Sequence, residues 1–101
     1  MRGETYLLRN SWMNRLRLER GFSYADIETV CRVTPSAVRN WMTGVTIPRY
    51  HHLRCLSWLF RVPVESLYEM AMTDYTNSRR GAILKLLRPR FGNSAGIHAR
   101  M

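Results

Sequence analysis

The sequence predicts an all-α domain of five helices followed by a basic C-terminal extension. Apolar residues recur at three- and four-residue spacing in successive segments, and no segment shows the sustained period-two alternation of a half-buried strand. Residues typical of helix starts and stops separate these segments. The 101 residues suit one domain. We expect residues 1–71 to form the folded unit, and residues 72–101 to form the extension.

The first two predicted helices are bounded by clear signals. Gly21 is a C-cap type stop for the first helix. Ser23 is a suitable N-cap for the second, and Asp26 three residues later gives a capping-box pattern. Apolar faces are expected from Leu8, Trp12, Met13 and Leu16 in the first helix, and from Ile27, Val30 and Cys31 in the second.

A third helix is expected over 35–42. Thr34 is its predicted N-cap, and Pro35 lies at the first helical position, where its missing N–H is harmless. Its inward side is expected to be Val38, Trp41 and Met42, and Gly44 ends it. Helix 24–31, a sharp turn near Arg32 and Val33, and helix 35–42 together have the pattern of a helix-turn-helix. The second helix of such a pair can lie in the major groove of DNA.

The last two helices follow a loop at Thr46–Pro48. Leu53, Leu56 and Phe60 mark the core face of the fourth helix. Pro63 opens the fifth, whose apolar residues are Val64, Leu67, Tyr68 and Met70.

Charge and composition limit the function classes. The formal net charge is +9, only Lys85 among the 16 basic residues is a lysine, and residues 72–101 carry more than half of the net charge. Arginine pairs bidentately with phosphate and guanine, which favours nucleic acid over an anionic surface or an acidic protein as the partner. Two cysteines cannot frame a disulfide scaffold of this length. No apolar run has the length of a signal peptide or membrane span, so we expect a cytoplasmic protein.

No metal, cofactor or catalytic site is predicted. His51 and Cys55 are four residues apart, a spacing that can hold a metal, but no further pair completes a tetrahedral set nearby. There is no glycine-rich phosphate loop, no suitable carboxylate pair, and no nucleophile with a histidine and an orienting acid. We therefore expect a protein that is not an enzyme.

The register of these residues resembles the phage-repressor/Cro-like (XRE-type) helix-turn-helix family. The resemblance is ungapped from about Met13 to Leu67, roughly half of the chain. It implies a lambda-repressor-like fold. The positions that carry it are Met13, Leu16, Arg17, Gly21, Phe22, Ser23, Ile27, Val33, Thr34, Val38, Trp41, Gly44, Pro48, Leu53, Leu56, Phe60, Val62 and Leu67.

The resemblance implies a sequence-specific regulator of transcription that binds double-stranded DNA. The expected mode is that of a Cro-like repressor, bacterial or phage-encoded and nucleoid-associated, which binds a palindromic operator as a dimer. The resemblance also implies which residues lie near bases: Pro35, Ser36, Ala37, Arg39 and Asn40. Phosphate contacts are expected from Ser23, Tyr24, Thr43, Thr46 and Arg49.

Two of the base-reading positions have specific chemistry, and each has an alternative. Arg39 suits guanine and Asn40 suits adenine, both through bidentate pairing. Arg39 is otherwise a solvated charge or a phosphate contact. Asn40 is otherwise bonded to nearby backbone.

Four positions depart from the family pattern: Glu28, Arg32, Met42 and Arg61. Arg32 and Arg61 replace glycines, and a left-handed arginine costs ~1 kcal/mol or more, which favours a rebuilt turn at Arg32. Met42 replaces a glutamate that pairs in the family with the arginine at position 17. We hypothesise that Glu28 pairs instead with Arg17 or Arg32, the alternative being that Arg17 and Glu28 both reach water.

Helix four has a second apolar stripe formed by Cys55, Trp58, Leu59 and Val62. We expect this stripe to be a dimer interface, or else to be covered by the extension folding back. The extension itself is either a helix or strand for dimerisation around 82–87, or a basic arm that grips phosphates with Arg79, Arg80, Arg88 and Arg90.

Two other functions remain open at this point. An antitoxin of the same helix-turn-helix type would bind a toxin through 72–101 as its protein partner. An interaction adaptor would have kept the fold and lost DNA binding, with Glu28 and Arg32 as marks of a degraded motif. The outward Arg39 and Asn40 and the positive charge argue against the adaptor.

Overall fold

The computed structural model describes the backbone of residues 6–91 and the side chains of residues 6–87. This part of the chain is all-helical and contains no strand, as the sequence predicts. The five helices are α1 (Trp12–Arg20), α2 (Tyr24–Cys31), α3 (Pro35–Met42), α4 (Tyr50–Phe60) and α5 (Val64–Phe91).

Local hydrogen bonds explain where the first three helices begin. The Ser23 hydroxyl accepts from the Asp26 N–H at 3.0 Å while the Asp26 carboxylate accepts from the Ser23 N–H at 2.8 Å, so the predicted capping box is formed. The Thr34 hydroxyl accepts from the Ala37 N–H at 3.1 Å, which caps α3 directly before Pro35. Ser11, which sequence reasoning did not select, caps α1 by accepting from the Asn14 N–H at 2.9 Å.

The core lies between all five helices. α1 packs against α3, α4 and α5, while α2 packs against α3 and α4. The inward side of α3 is the predicted one, because Val38, Trp41 and Met42 are all buried. Burial of these three side chains fixes the rotation of α3 about its axis. The other buried core residues are Met13, Leu16, Ile27, Leu53, Leu56, Phe60, Leu67 and Ala71.

Helix α5 is a single helix of 28 residues. The boundary expected between residues 71 and 72 lies inside it, and the turns beyond that boundary bury Asp74, Ser78 and Ala82. The Ser78 hydroxyl donates to the Gly44 carbonyl at 2.7 Å, which ties α5 to the segment after α3. The extension therefore begins as a packed helix. Residues 92–101, and the side chains of Arg88 and Arg90 predicted as part of a basic arm, lie outside the described residues.

Two helices end on arginines in the left-handed conformation. Arg32 after α2 has φ 55° and ψ 54°, and Arg61 after α4 has φ 60° and ψ 48°. The expectation that the turn at Arg32 is rebuilt to avoid this conformation is wrong. The Arg32 N–H donates to the Glu28 carbonyl and the Arg61 N–H to the Ser57 carbonyl, so both arginines take the capping role usual for glycine.

Candidate nucleic-acid interface

One face of α3 is open to solvent. Pro35, Ser36 and Arg39 are exposed, and Ala37 and Asn40 are partly buried. Ala37 also packs against the core, so less of its side chain is accessible. The structure thus brings the five predicted base-contact residues onto one accessible helix whose opposite side is held by the core.

The two residues with base-specific chemistry have free functional groups. Within residues 6–87, neither the Arg39 guanidinium nor the Asn40 amide makes a hydrogen bond or an ion pair. The local backbone bond considered for the Asn40 side chain is therefore not formed. Its main-chain carbonyl instead accepts from the N–H groups of Val45 at 2.9 Å and Thr46 at 3.3 Å. Both side chains keep their full capacity for bidentate pairing with a base edge.

The predicted phosphate-contact residues differ in exposure and in whether their side chains already make a hydrogen bond. Thr46 and Arg49 are exposed, and Arg49 precedes α4 without capping it through its side chain. Ser23 is exposed, but its hydroxyl oxygen already caps α2. The Thr43 hydroxyl donates to the Arg39 carbonyl at 2.7 Å, so contact with a phosphate requires that this bond be exchanged.

Two of the predicted phosphate-contact residues line a cleft together with residues that the sequence did not predict. It has a volume of about 490 Å³ and is lined by Tyr24 and Thr43 together with Arg9 and Asn14. Arg9 is exposed and precedes α1, where no helical periodicity marks it. Its position follows from the segment before α1, which the Leu8 N–H attaches to the Thr43 carbonyl at 3.0 Å. A cationic group therefore lies beside two predicted phosphate contacts.

Arg17 holds the start of α2 in place. Its guanidinium donates to the Asn14 amide oxygen at 2.9 Å and to the Phe22 carbonyl at 2.7 Å, and it lies 4.6 Å from the centre of the Tyr24 ring. No ion pair joins Glu28 to Arg17 or Arg32 in the described part of the chain. The hypothesis that Glu28 is the carboxylate partner of Arg17 or Arg32 is wrong, because a carbonyl, an amide and an aromatic ring satisfy Arg17 instead.

Two histidines lie at the start of α4 beside α3. The rings of His51 and His52 are 4.0 Å apart, and the His52 ring is 5.1 Å from that of Trp41. Burial lowers the pKa of His52, and the nearby charges of His51 and Arg49 lower it further. His52 therefore favours its neutral form where it packs against α3.

The stripe predicted as a dimer interface is only partly exposed to solvent. Trp58 is 74% exposed, and the described part of the extension does not cover it. Leu59 and Val62 pack partly against the core, and the Cys55 sulfur lies 2.9 Å from that of Cys31. The last described turns of α5 expose a second apolar group, formed by Ile83, Leu84, Leu86 and Leu87.

Searches of protein-family models, of curated proteins and of solved structures each found no match to this chain. Among residues 6–91, no helix is both long enough and apolar enough to cross a membrane. The same part of the chain holds no group of three or more histidine, cysteine or acidic residues that could bind a metal.

Proposed function

We propose that this chain is a sequence-specific regulator of transcription that binds double-stranded DNA, with α2 and α3 as its helix-turn-helix. In this proposal α3 lies in the major groove and the fold is of the lambda-repressor type. The observation that carries it is the free Arg39 guanidinium beside the free Asn40 amide, on a helix whose other side is buried. A net charge of +9 supplies the general attraction to phosphate.

The contacts divide by role. Pro35, Ser36, Ala37, Arg39 and Asn40 face bases, and the residues around the cleft face phosphates. Tyr24 and Arg9 are the strongest phosphate candidates there, since the Thr43 hydroxyl is already bonded. Thr46 and Arg49 extend this set toward α4. Phosphate contacts hold α3 in register, and the base contacts then select the sequence.

The mode of action follows as part of the same proposal. The chain acts as a Cro-like repressor, a dimer in the cytoplasm that covers a palindromic operator. Exposed Trp58 supports the dimer, because a large apolar side chain open to water is typical of an interface.

Selection of bound duplexes from a random pool tests the proposal. We expect a palindromic consensus whose half-sites lie about one helical turn apart. The control is a variant with Ser36, Arg39 and Asn40 all changed to alanine, which keeps the buried side of α3 and should select no consensus. Failure of the unaltered protein to enrich any sequence, together with no binding at low ionic strength, would overturn the proposal.

A second function, that of an antitoxin, is favoured by the exposed apolar end of α5. Ile83 and Leu84 are more than half exposed there. In this alternative the helix binds a toxin while the domain represses its own operon. Co-expression with the product of the neighbouring gene tests it. A stable complex that Leu84→Asp abolishes, without loss of DNA binding, supports the antitoxin, and separate elution of the two proteins excludes this pairing.

A further inference from the structure

The two cysteines of the chain meet across two helices. Cys31 is the last residue of α2 and Cys55 lies within α4, 24 residues later. Their sulfur atoms are 2.9 Å apart, inside the contact distance of two unbonded sulfurs and less than 1 Å longer than a disulfide bond of about 2.05 Å. Both residues are only partly buried, so a small oxidant can reach them.

The two thiols are not equivalent. The Cys31 S–H donates to the Cys55 sulfur, while the Cys55 sulfur is itself 3.8 Å from the Val30 carbonyl. Burial, this hydrogen bond and repulsion by a charged Cys55 raise the pKa of Cys31 to about 12. At neutral pH Cys31 therefore stays protonated, which leaves Cys55 as the sulfur that reacts first with an oxidant.

We propose that Cys31 and Cys55 form a reversible intramolecular disulfide between α2 and α4, with a peroxide as the oxidant. The Cys55 thiolate attacks one oxygen of hydrogen peroxide, the O–O bond breaks, and a sulfenic acid and hydroxide form. The Cys31 sulfur then attacks the Cys55 sulfur, the S–S bond forms and water leaves. The hydroxide takes up the proton first lost by Cys55. In sum, two thiols lose two electrons and two protons, and the peroxide becomes two molecules of water.

The bond would enclose the whole of α3. The closed loop runs from residue 31 to residue 55, and α3 lies within it at Pro35–Met42. A disulfide lowers the entropy of the unfolded chain, and closing a loop of this length lowers the unfolding equilibrium constant on the order of a hundredfold. Peroxide thus changes the stability of the α2–α3 unit, whether or not that unit binds DNA.

The full-length protein, treated with hydrogen peroxide, tests the proposal. We expect an intact mass lower by two hydrogen atoms, no thiol open to alkylation after denaturation, and no covalent dimer on a non-reducing gel. The urea midpoint should rise, and dithiothreitol should restore both thiols and the original midpoint. Two alkylatable thiols after treatment, or a disulfide between chains, would overturn the proposal.

Single variants test the order of the two steps. Cys31→Ser should still lose its remaining thiol to peroxide, and should trap a sulfenic acid at Cys55 that a dimedone probe labels. Cys55→Ser should lose its thiol more slowly than Cys31→Ser, because burial, the largest cause of the raised Cys31 pKa, remains when Cys55 is replaced. Faster oxidation of Cys31 than of Cys55 would overturn the assigned order. The measurements on the unaltered protein show whether the disulfide forms, even if a variant fails to fold.

Discussion

The buried carboxylate of Asp74 in α5 accepts a hydrogen bond of 3.0 Å from the backbone N–H of Met13 at the start of α1. Its other oxygen accepts from the Trp12 N–H at 2.9 Å. These N–H groups belong to the first turn of a helix, where the backbone offers no acceptor of its own. Asp74 therefore completes the N-terminus of α1 from a residue 61 positions away in the chain.

Removal of this carboxylate should destabilise the fold. We expect Asp74→Ala to lower the free energy of unfolding by about 1–3 kcal/mol, because the buried N–H of Met13 and the partly buried N–H of Trp12 lose their acceptor. Urea titration followed by circular dichroism measures the change. Glu69→Ala is the matched control, an exposed acid on the same helix, and should change stability by less than about 0.5 kcal/mol. Equal stability of the two variants would contradict the role of Asp74.

The left-handed arginines should be sites of stabilisation. Arg32→Gly and Arg61→Gly should each raise the free energy of unfolding by about 0.5–1 kcal/mol, since glycine adopts a positive φ without a Cβ clash. Arg54→Gly removes the same charge from the interior of α4, and should lower the free energy of unfolding by about 1 kcal/mol. Chemical denaturation of the three variants measures both signs. A loss of stability at positions 32 and 61 would show that their side chains outweigh the backbone conformation.

Arg39 and Arg49 should affect DNA binding in different ways. Arg39→Ala should cost ~1–3 kcal/mol on the best site and relax base preference, because a base-edge contact is lost. Arg49→Ala should weaken binding to all sequences alike and flatten the salt slope by about one unit, as expected for a phosphate contact. Fluorescence polarisation over a salt series measures both effects, with Arg61→Gly as the charge-matched control. Equal loss on specific and random duplexes for Arg39→Ala would make Arg39 a phosphate contact.

Stability should depend on pH through His52. The fold lowers the pKa of His52 below its ordinary value of 6.5. At a pH between the lowered pKa and 6.5, the unfolded chain therefore binds the proton more strongly than the folded chain. This contribution to stability is complete above pH 6.5 and is lost as the pH falls toward the lowered pKa. Urea midpoints at pH 7.5, 6.5 and 5.5 should fall in that order. His52→Gln should reduce the change, whereas His51→Gln should keep the part that burial causes.

The proposed dimer should depend on Trp58. Trp58→Glu should shift the chain toward monomer, since a charge cannot be buried in an apolar interface without a partner. Sedimentation over a range of concentrations measures the mass. The control is Tyr68→Glu, which alters an exposed aromatic residue on α5 instead of α4, and it should leave the mass unchanged. An unaltered dimer for Trp58→Glu would place the interface elsewhere, and the exposed apolar end of α5 would be the next surface to test.

Much of the candidate site could be predicted because its signals are local. The capping box of Ser23 and Asp26 and the cap at Thr34 each depend on residues three positions apart. The spacing of Val38, Trp41 and Met42 sets which side of α3 is buried, and so which side carries Arg39. Arg9 could not be found in this way, because its place beside Tyr24 depends on a backbone bond from Leu8 to Thr43.

The sequence by itself determined the first four helices, the start of the fifth and the outward side of α3, since capping and periodicity act within one or two turns. Only the tertiary structure decided the rest. It sets the partners of Arg17, the left-handed arginines, the contact of Cys31 with Cys55 and the continuation of α5 through Asp74. Each of these rests on groups brought together by packing. In Arg32 and Arg61 the gain from docking the neighbouring helices outweighs a local backbone preference of ~1 kcal/mol.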